Sequence, residues 1–96
     1  MDVVILDETE NDIVNAKKFY ESQKVHLGDY FLTTILSDIE SLHLFVGIHI
    51  KINGFNRLLS KRFPFAIYCK FSKSKIFIHA VLDCRKDPNN IRLRLL

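Results

Sequence analysis

Glycine and proline are scarce in this 96-residue chain, with three Gly and two Pro. That scarcity excludes collagen-like and low-complexity classes. Two Cys are too few for the disulfide frame of a small secreted domain. No apolar run approaches the roughly 20 residues that a membrane-spanning helix needs. The opening MDVVILDETE has no basic stretch before its short apolar run, so it does not read as a signal peptide. What is present is a 48% apolar composition, too rich for a disordered tail. A chain of this length buries roughly 60–65% of the surface its unfolded form exposes, enough for one self-supporting core. The expectation is a single domain over residues 1–96, cytoplasmic and without a membrane partner.

Acidic residues are almost missing from the second half. Residues 1–48 hold three basic side chains (Lys17, Lys18, Lys24) against nine acidic ones, a net −6. Residues 49–96 hold eleven basic side chains against Asp83 and Asp87 alone, a net +9. Such asymmetry points to a basic face aimed at nucleic acid or at an acidic protein surface. A solvated basic surface without a partner is the plainer alternative.

The local patterns place the elements. Val3-Val4-Ile5-Leu6 is a short β-branched apolar run bounded by charges and reads as a buried strand. Thr9 followed by Asp12 resembles an N-cap with an acid at the third helical position, opening a helix to about Gln23. Ile13, Ala16 and Tyr20 share one stripe of that helix, widened by Phe19, whereas Asp12, Asn15, Lys18 and Glu21 lie off it. Gly28 and Asp29 mark the start of a second helix, whose Phe31, Ile35, Ile39, Leu42 and Val46 recur at the helical period. The short connection predicts a helical hairpin.

Beyond Gly47 the period changes to two. Asn53-Gly54 marks a turn, and Phe55–Leu59 reads as a strand. Phe63, Phe65, Ile67, Cys69 and Phe71 alternate along one run, and Ile76, Ile78, Ala80, Leu82 and Cys84 along the next. A turn centred on Lys73-Ser74 pairs Phe71 with Ile76 and Phe63 with Cys84, placing these ten side chains on one face of an antiparallel hairpin. In that register Cys69 faces Ile78, far along the strand from Cys84. A disulfide between the two Cys is therefore excluded, and both read as small core residues. Asp87-Pro88-Asn89-Asn90 reads as a turn, and Ile91, Leu93 and Leu95 then alternate with Arg92 and Arg94 as a last short strand or ordered tail.

Familiar chemical signatures are missing. There is no glycine-rich phosphate loop, paired-Cys zinc motif or nucleophile elbow. His26, His43, His49 and His79 lack metal-ligand spacing, so neither a metal nor a cofactor is expected. What remains is cationic. Antiparallel pairing sets residues 61–63 beside 84–86, which gathers Lys61, Arg62, Arg85 and Lys86 at one end of the sheet, with Arg57 on the preceding strand. Guanidinium groups there can grip phosphates or dock on an acidic protein. The plainer alternative is that these side chains cover sheet ends and edges.

Ala16-Lys17-Lys18-Phe19-Tyr20-Glu21 and Leu27-Gly28-Asp29-Tyr30-Phe31 resemble the helical half of the RelE/ParE toxin superfamily. The segment Gly54-Phe55-Asn56-Arg57-Leu58-Leu59-Ser60-Lys61-Arg62-Phe63-Pro64-Phe65-Ala66-Ile67-Tyr68 resembles its sheet motif more closely. Ala80-Val81-Leu82 followed by Arg85-Lys86-Asp87-Pro88 is similar to its terminal strand and basic turn. The likeness runs in order from about residue 3 to residue 88.

The resemblance implies an α+β fold, with an N-terminal strand and helical hairpin packed on a small, mainly antiparallel sheet. It implies the toxin of a bacterial type II toxin–antitoxin pair, of the kind tied to plasmid stabilization, neutralised in a hetero-oligomer by a cognate antitoxin. The antitoxin would cover the hairpin at Phe19, Tyr20, Tyr30 and Phe31 and reach the sheet edge. ParE-like members inhibit DNA gyrase by binding, whereas RelE-like members cut messenger RNA on the ribosome with Arg and Lys side chains. No Tyr or His follows Val81, so the terminal proton-transfer group of the ribonucleases has no counterpart. This favours the gyrase-binding branch, with Arg57, Lys61, Arg62, Arg85 and Lys86 as target-binding residues. On the ribonuclease alternative, Arg57, Arg85 and Lys86 would carry catalysis. A silenced homologue that only binds antitoxin is the third reading.

Overall fold

A computed structural model describes residues 2–44 and 50–96. Strand β1 (Asp2–Ile5) leads into helices α1 (Asp7–Gln23) and α2 (Leu27–Glu40), the second extended by a 3-10 turn over Ser41–Leu44. Strands β2 (Ile50–Ile52), β3 (Phe55–Leu59), β4 (Phe65–Ser72) and β5 (Lys75–Asp83) follow, and helix α3 (Pro88–Arg94) ends the chain. The sheet order is β1-β5-β4-β3-β2, with β1 parallel to β5 and every other pair antiparallel. The architecture is α+β, as the sequence reading expects. Among the described residues, no helix is long and apolar enough to cross a membrane.

Helix α1 starts two residues before Thr9, with Leu6 at the N-cap and no side-chain cap. Asp7, Glu8 and Glu10 fill its first turn, where the helix dipole favours negative charge. Thr9 is not the cap the sequence reading expects. It is fully buried, and its hydroxyl donates to the Ile78 carbonyl at 2.7 Å, tying the first turn to β5. At the other end of α1, the Glu21 carboxylate accepts the His26 and Gly28 amides, both at 2.9 Å. These amides open α2, so Glu21 caps the second helix from the end of the first. Gly28 is required by proximity: a Cβ there would stand 2.6 Å from the Lys17 carbonyl oxygen.

The α2 stripe behaves as its period predicts, with Phe31, Ile35, Ile39 and Leu42 all buried; Val46 lies outside the described residues. At the end of α2, buried Asp38 accepts the Ser60 hydroxyl at 2.7 Å, fastening the helix to the chain just past β3. Asn53 (φ 51°) and Gly54 (φ 84°) form the two-residue turn between β2 and β3. Two successive positive φ values match the turn type that follows strand twist.

The β4–β5 ladder departs from the sequence expectation at one point. Phe71 pairs with Ile76 and Cys69 with Ile78, as expected, but Tyr68 then pairs with Ala80, leaving His79 as an extra residue in β5. Because side chains alternate with a period of two, this bulge exchanges the faces of everything beyond it. Val81 joins Ile67, Ile76, Ile78 and the helical hairpin in the main core, whereas Ala80 and Leu82 turn to the opposite face. The ten alternating residues therefore do not share a face, and Phe63 does not pair with Cys84. Strand β5 ends at Asp83, which leaves Cys84 exposed instead of in the core; Cys69 is buried, and both thiols are free. Burial pushes the Cys69 thiol up to about 11.

The opposite face of the sheet is also covered. Leu95 is buried there and Ile91 packs beside it against Phe55, Ala66, Tyr68 and Ala80. The C-terminal segment is thus a helix, not the strand or tail its alternation suggests. Asp87 caps it by accepting the Asn89 amide at 2.9 Å, and Pro88 occupies its first turn. Residues four apart, Ile91 and Leu95, face the sheet, and Leu93 remains exposed. With helices on both sides, all five residues Phe65–Cys69 of β4 are buried.

Candidate interaction surface

The basic end of the sheet is built from two turns. The loop after β3 carries Lys61 and Arg62, and the turn after β5 carries Arg85 and Lys86. The Ser60 amide donates to the Phe65 carbonyl and the Cys84 amide to the Pro64 carbonyl, both at 2.8 Å. Those bonds hold the two turns against each other. Lys61, Arg62, Arg85 and Lys86 therefore stand at one end, and all four are exposed.

Their charges are not equally available. The Arg85 guanidinium forks onto Asp83, with Nε to Oδ1 at 3.0 Å and Nη2 to Oδ2 at 2.8 Å, and Oδ1 also accepts the Arg85 amide at 2.8 Å. This bidentate pair holds the Asp83 carboxyl below its usual range. The bulge makes the pairing possible, because it turns Asp83 to the side of the sheet occupied by α1 and α2. A group whose pKa is depressed on folding contributes stability above its unfolded value near 3.9, lost as pH falls through the lower folded value. Acid unfolding of Asp83→Asn should accordingly be less steep below about pH 4 than that of the parent. Superimposable acid limbs in circular dichroism would show that the fork contributes nothing to stability.

Arg57 stands apart from this group. It pairs with Tyr68 across β3–β4, on the face covered by α3, whereas the Asp83–Arg85 fork lies toward α1. Of the set Arg57, Arg85 and Lys86, the last two therefore share one turn, whereas Arg57 lines a different cleft on the other face of the sheet.

The aromatic residues of the hairpin divide in the same way. Tyr20, Phe31, Phe63 and Phe65 form one packed cluster, with ring centroids 4.9–6.1 Å apart. Tyr20 is 9% exposed and Phe31 fully buried, so these two of the four hairpin aromatics belong to the core. Phe19 and Tyr30 are 53% and 45% exposed and form the accessible part. The Tyr30 hydroxyl accepts from Arg62 Nη1 at 3.1 Å, joining the aromatic surface to the basic end. Among the described residues, no well-formed hydrogen bond reaches the buried Tyr20 hydroxyl, although the Arg85 guanidinium lies close by.

One edge of β5 carries a group the sequence reading does not single out. Past the end of β1 this edge is open, and the Val81 amide donates to Asp12 Oδ2 at 3.1 Å. Arg94 reaches around from α3, binding Asp12 through Nη1 at 2.7 Å and Nη2 at 2.8 Å, Glu8 through Nε at 3.0 Å, and the His79 carbonyl at 3.4 Å. Asp12 thus faces the sheet edge and does not lie free on the outer helix face. The pair also blocks part of a strand edge that would otherwise recruit another chain. A cleft of about 440 Å³ lies beside it between α1 and α3, floored by Val81 and Leu82 and bordered by Phe19 and Ile91. The signal for this arrangement was Asp87-Pro88, which starts a helix and so aims Arg94 back at α1.

No protein-family model matches the chain. No curated protein matches it either. Among solved structures, it is similar to a chain of the "Chromosomal ParDE TA system from P. aeruginosa", with a TM-score of 0.69 over 84% of this chain and 92% of that one, at 15% identity. The fold of this protein is thus the RelE/ParE-like fold, a helical hairpin on a mainly antiparallel five-stranded sheet.

Proposed function

We propose that the protein is the toxin of a type II toxin–antitoxin pair, acting as a ParE-like inhibitor that binds DNA gyrase. The reading draws on the fold, on the Arg62-Phe63-Pro64-Phe65 block and on the basic end of the sheet. One observation carries the choice of binding over cleavage. The Arg85 fork is already occupied by Asp83, and Arg57 lies on the other face of the sheet. Stabilising a scissile phosphate needs several cations converging on one point, an arrangement these residues do not make. Docking on an acidic protein surface needs only a rigid basic patch, and Lys61, Arg62 and Lys86 supply one.

Pulse induction of the protein in a bacterium, following thymidine and methionine incorporation together, tests the reading. DNA synthesis is expected to stop first. Loss of protein synthesis first would replace gyrase binding with ribosome-dependent messenger cleavage. Continued growth with soluble protein would mean a silenced homologue.

A cognate antitoxin is the second partner of this reading, in a cytoplasmic hetero-oligomer. Phe19 and Tyr30 are the exposed aromatics offered to it. Phe19→Glu and Tyr30→Glu should each weaken a co-purified complex by at least about tenfold, the loss that follows when a buried aromatic anchor is replaced by a charge. A complex of unchanged affinity would move the antitoxin to another surface.

A further inference from the structure

Two arginines of the second half are held by carboxylates, and the two pairs differ in kind. Arg94 reaches from α3 to Asp12 on α1, with side chains 23% and 15% exposed, so that pair joins two elements and is sheltered on both sides. Arg85 forks onto Asp83, two residues before it at the same turn. This second pair ties no two elements together. Its carboxylate is 13% exposed and its guanidinium 62%, so the cation is presented outward while the anion stays sheltered.

The backbone fixes Asp83 in that position. Asp83 ends β5 opposite Phe65, its Oδ1 accepts the Arg85 amide at 2.8 Å, and its carbonyl accepts the Lys86 amide at 3.2 Å. An Asp that bonds the amide two residues on is a local turn device, so the carboxylate is in place before the fork closes on it. Lys86 is also close enough for its charge to act on Asp83. The remaining acid of the second half, Asp87, is turned to the Asn89 amide at the start of α3. Asp83 is therefore the acid that acts on the basic end, and it acts on two of its four cations. Among the described residues, Lys61, Arg62 and Lys86 make no ion pair.

We propose that Asp83 is an autoinhibitory contact, a tethered stand-in for the carboxylate of an acidic protein partner. It keeps the Arg85 fork closed and leaves Lys61, Arg62 and Lys86 as the uncompensated charge of this end. A carboxylate two residues away competes at the high effective concentration of an intramolecular group, whereas a partner's carboxylate arrives from solution. The guanidinium satisfies its planar donors on Asp83, and a second carboxylate must displace the first to make the same fork. Asp83 thus sets how tightly the basic end docks. The inference rests on the reading of this end as a docking surface for an acidic protein, but its test involves no gyrase.

The test is a titration of labelled poly-L-glutamate with the whole protein, followed by fluorescence anisotropy at low and rising salt. Asp83→Asn should bind roughly three- to tenfold more tightly than the parent, between the worth of an exposed ion pair and that of a charged hydrogen bond. Its affinity should also fall more steeply with salt, because one more exposed cation contributes. Asp83→Asn combined with Arg85→Gln has the formal charge of the parent and should return to the parent's affinity. Glu10→Gln adds the same charge as Asp83→Asn at the start of α1, about 15 Å along the helix from Tyr20, and should leave affinity unchanged. Unchanged affinity in Asp83→Asn overturns the proposal. So does a gain that survives Arg85→Gln, or an equal gain in Glu10→Gln, which would reduce the effect to net charge. A gain confined to a single-stranded oligonucleotide in a parallel titration also overturns it. Circular dichroism of each variant confirms that the fold persists. Failure of the gyrase reading looks different: the induced protein would leave DNA synthesis running while Asp83→Asn still tightened on polyglutamate.

Discussion

Phe31→Ala is expected to cost about 3–5 kcal/mol of stability, the usual cost of emptying a buried aromatic site. Phe31 is fully buried and touches three other rings, with centroids 5.1 Å from Tyr20, 5.0 Å from Phe63 and 5.0 Å from Phe65. It is the point where α1, α2, the loop after β3 and β4 meet, so no neighbour can fill the space without moving an element. For a domain of about this size, each kcal/mol lowers the melting temperature by roughly 4–8 °C. Thermal unfolding of Phe31→Ala should therefore shift by well over 10 °C, on the order of the whole margin of a small domain. Tyr20→Phe in the same cluster offers a contrast. It removes a buried hydroxyl that makes no well-formed hydrogen bond among the described residues, so it should be neutral or mildly stabilising. A large loss in Tyr20→Phe would mean that the hydroxyl is bonded after all. A small loss in Phe31→Ala would mean that the aromatic cluster does not organise the core.

The second large effect is expected at the open edge of β5. Asp12→Ala removes the acceptor of the Val81 amide and both Arg94 bonds, and it leaves a guanidinium that is only 23% exposed without its main partner. Breaking such a pair from one side costs about 3 kcal/mol, because the surviving charge is left poorly solvated. Arg94→Ala should cost less, since Asp12 keeps the Val81 amide. The two changes together should cost less than their sum, with a coupling of roughly 0.5–3 kcal/mol in a double-mutant cycle by urea unfolding. Additive losses would show that α3 is not held to α1 by this pair. High salt should weaken the coupling only slightly, because groups this sheltered are little screened.

The elements read correctly from sequence are those whose signal is local. The four-and-three spacing of Phe31, Ile35, Ile39 and Leu42 is a property of one helix and survives in any surroundings. Asn53-Gly54 needs only its own backbone to make a turn, and the Ser72–Lys75 turn sets the first pairs of the long hairpin in register.

The misread elements depend on distant residues. The bulge at His79 coincides with the point where α1, some 69 residues away in sequence, takes the Ile78 carbonyl with Thr9 and the Val81 amide with Asp12. Nothing in the alternation of Ile78, Ala80 and Leu82 announces it, because both faces of the sheet end up buried and each accepts apolar side chains. The same burial misleads at the tail. Ile91, Leu93 and Leu95 fit a strand as well as a helix, and only Asp87-Pro88 separates the two.

For the candidate surface, the sequence by itself determined that positive charge concentrates in the second half and that two turns carry it to one end of a sheet. Composition and antiparallel pairing suffice for that. Only the tertiary structure decided which charges remain available and which aromatics are accessible. Ion pairing and burial are properties of neighbours in space. Asp83 engages Arg85 because a single-residue bulge turns it toward α1, and Arg94 is consumed by Asp12 because α3 folds back across the sheet. Tyr20 and Phe31 vanish into the core while Phe19 and Tyr30, one residue away in each case, remain on the surface. A helix turns about 100° per residue, so adjacent side chains meet different surroundings.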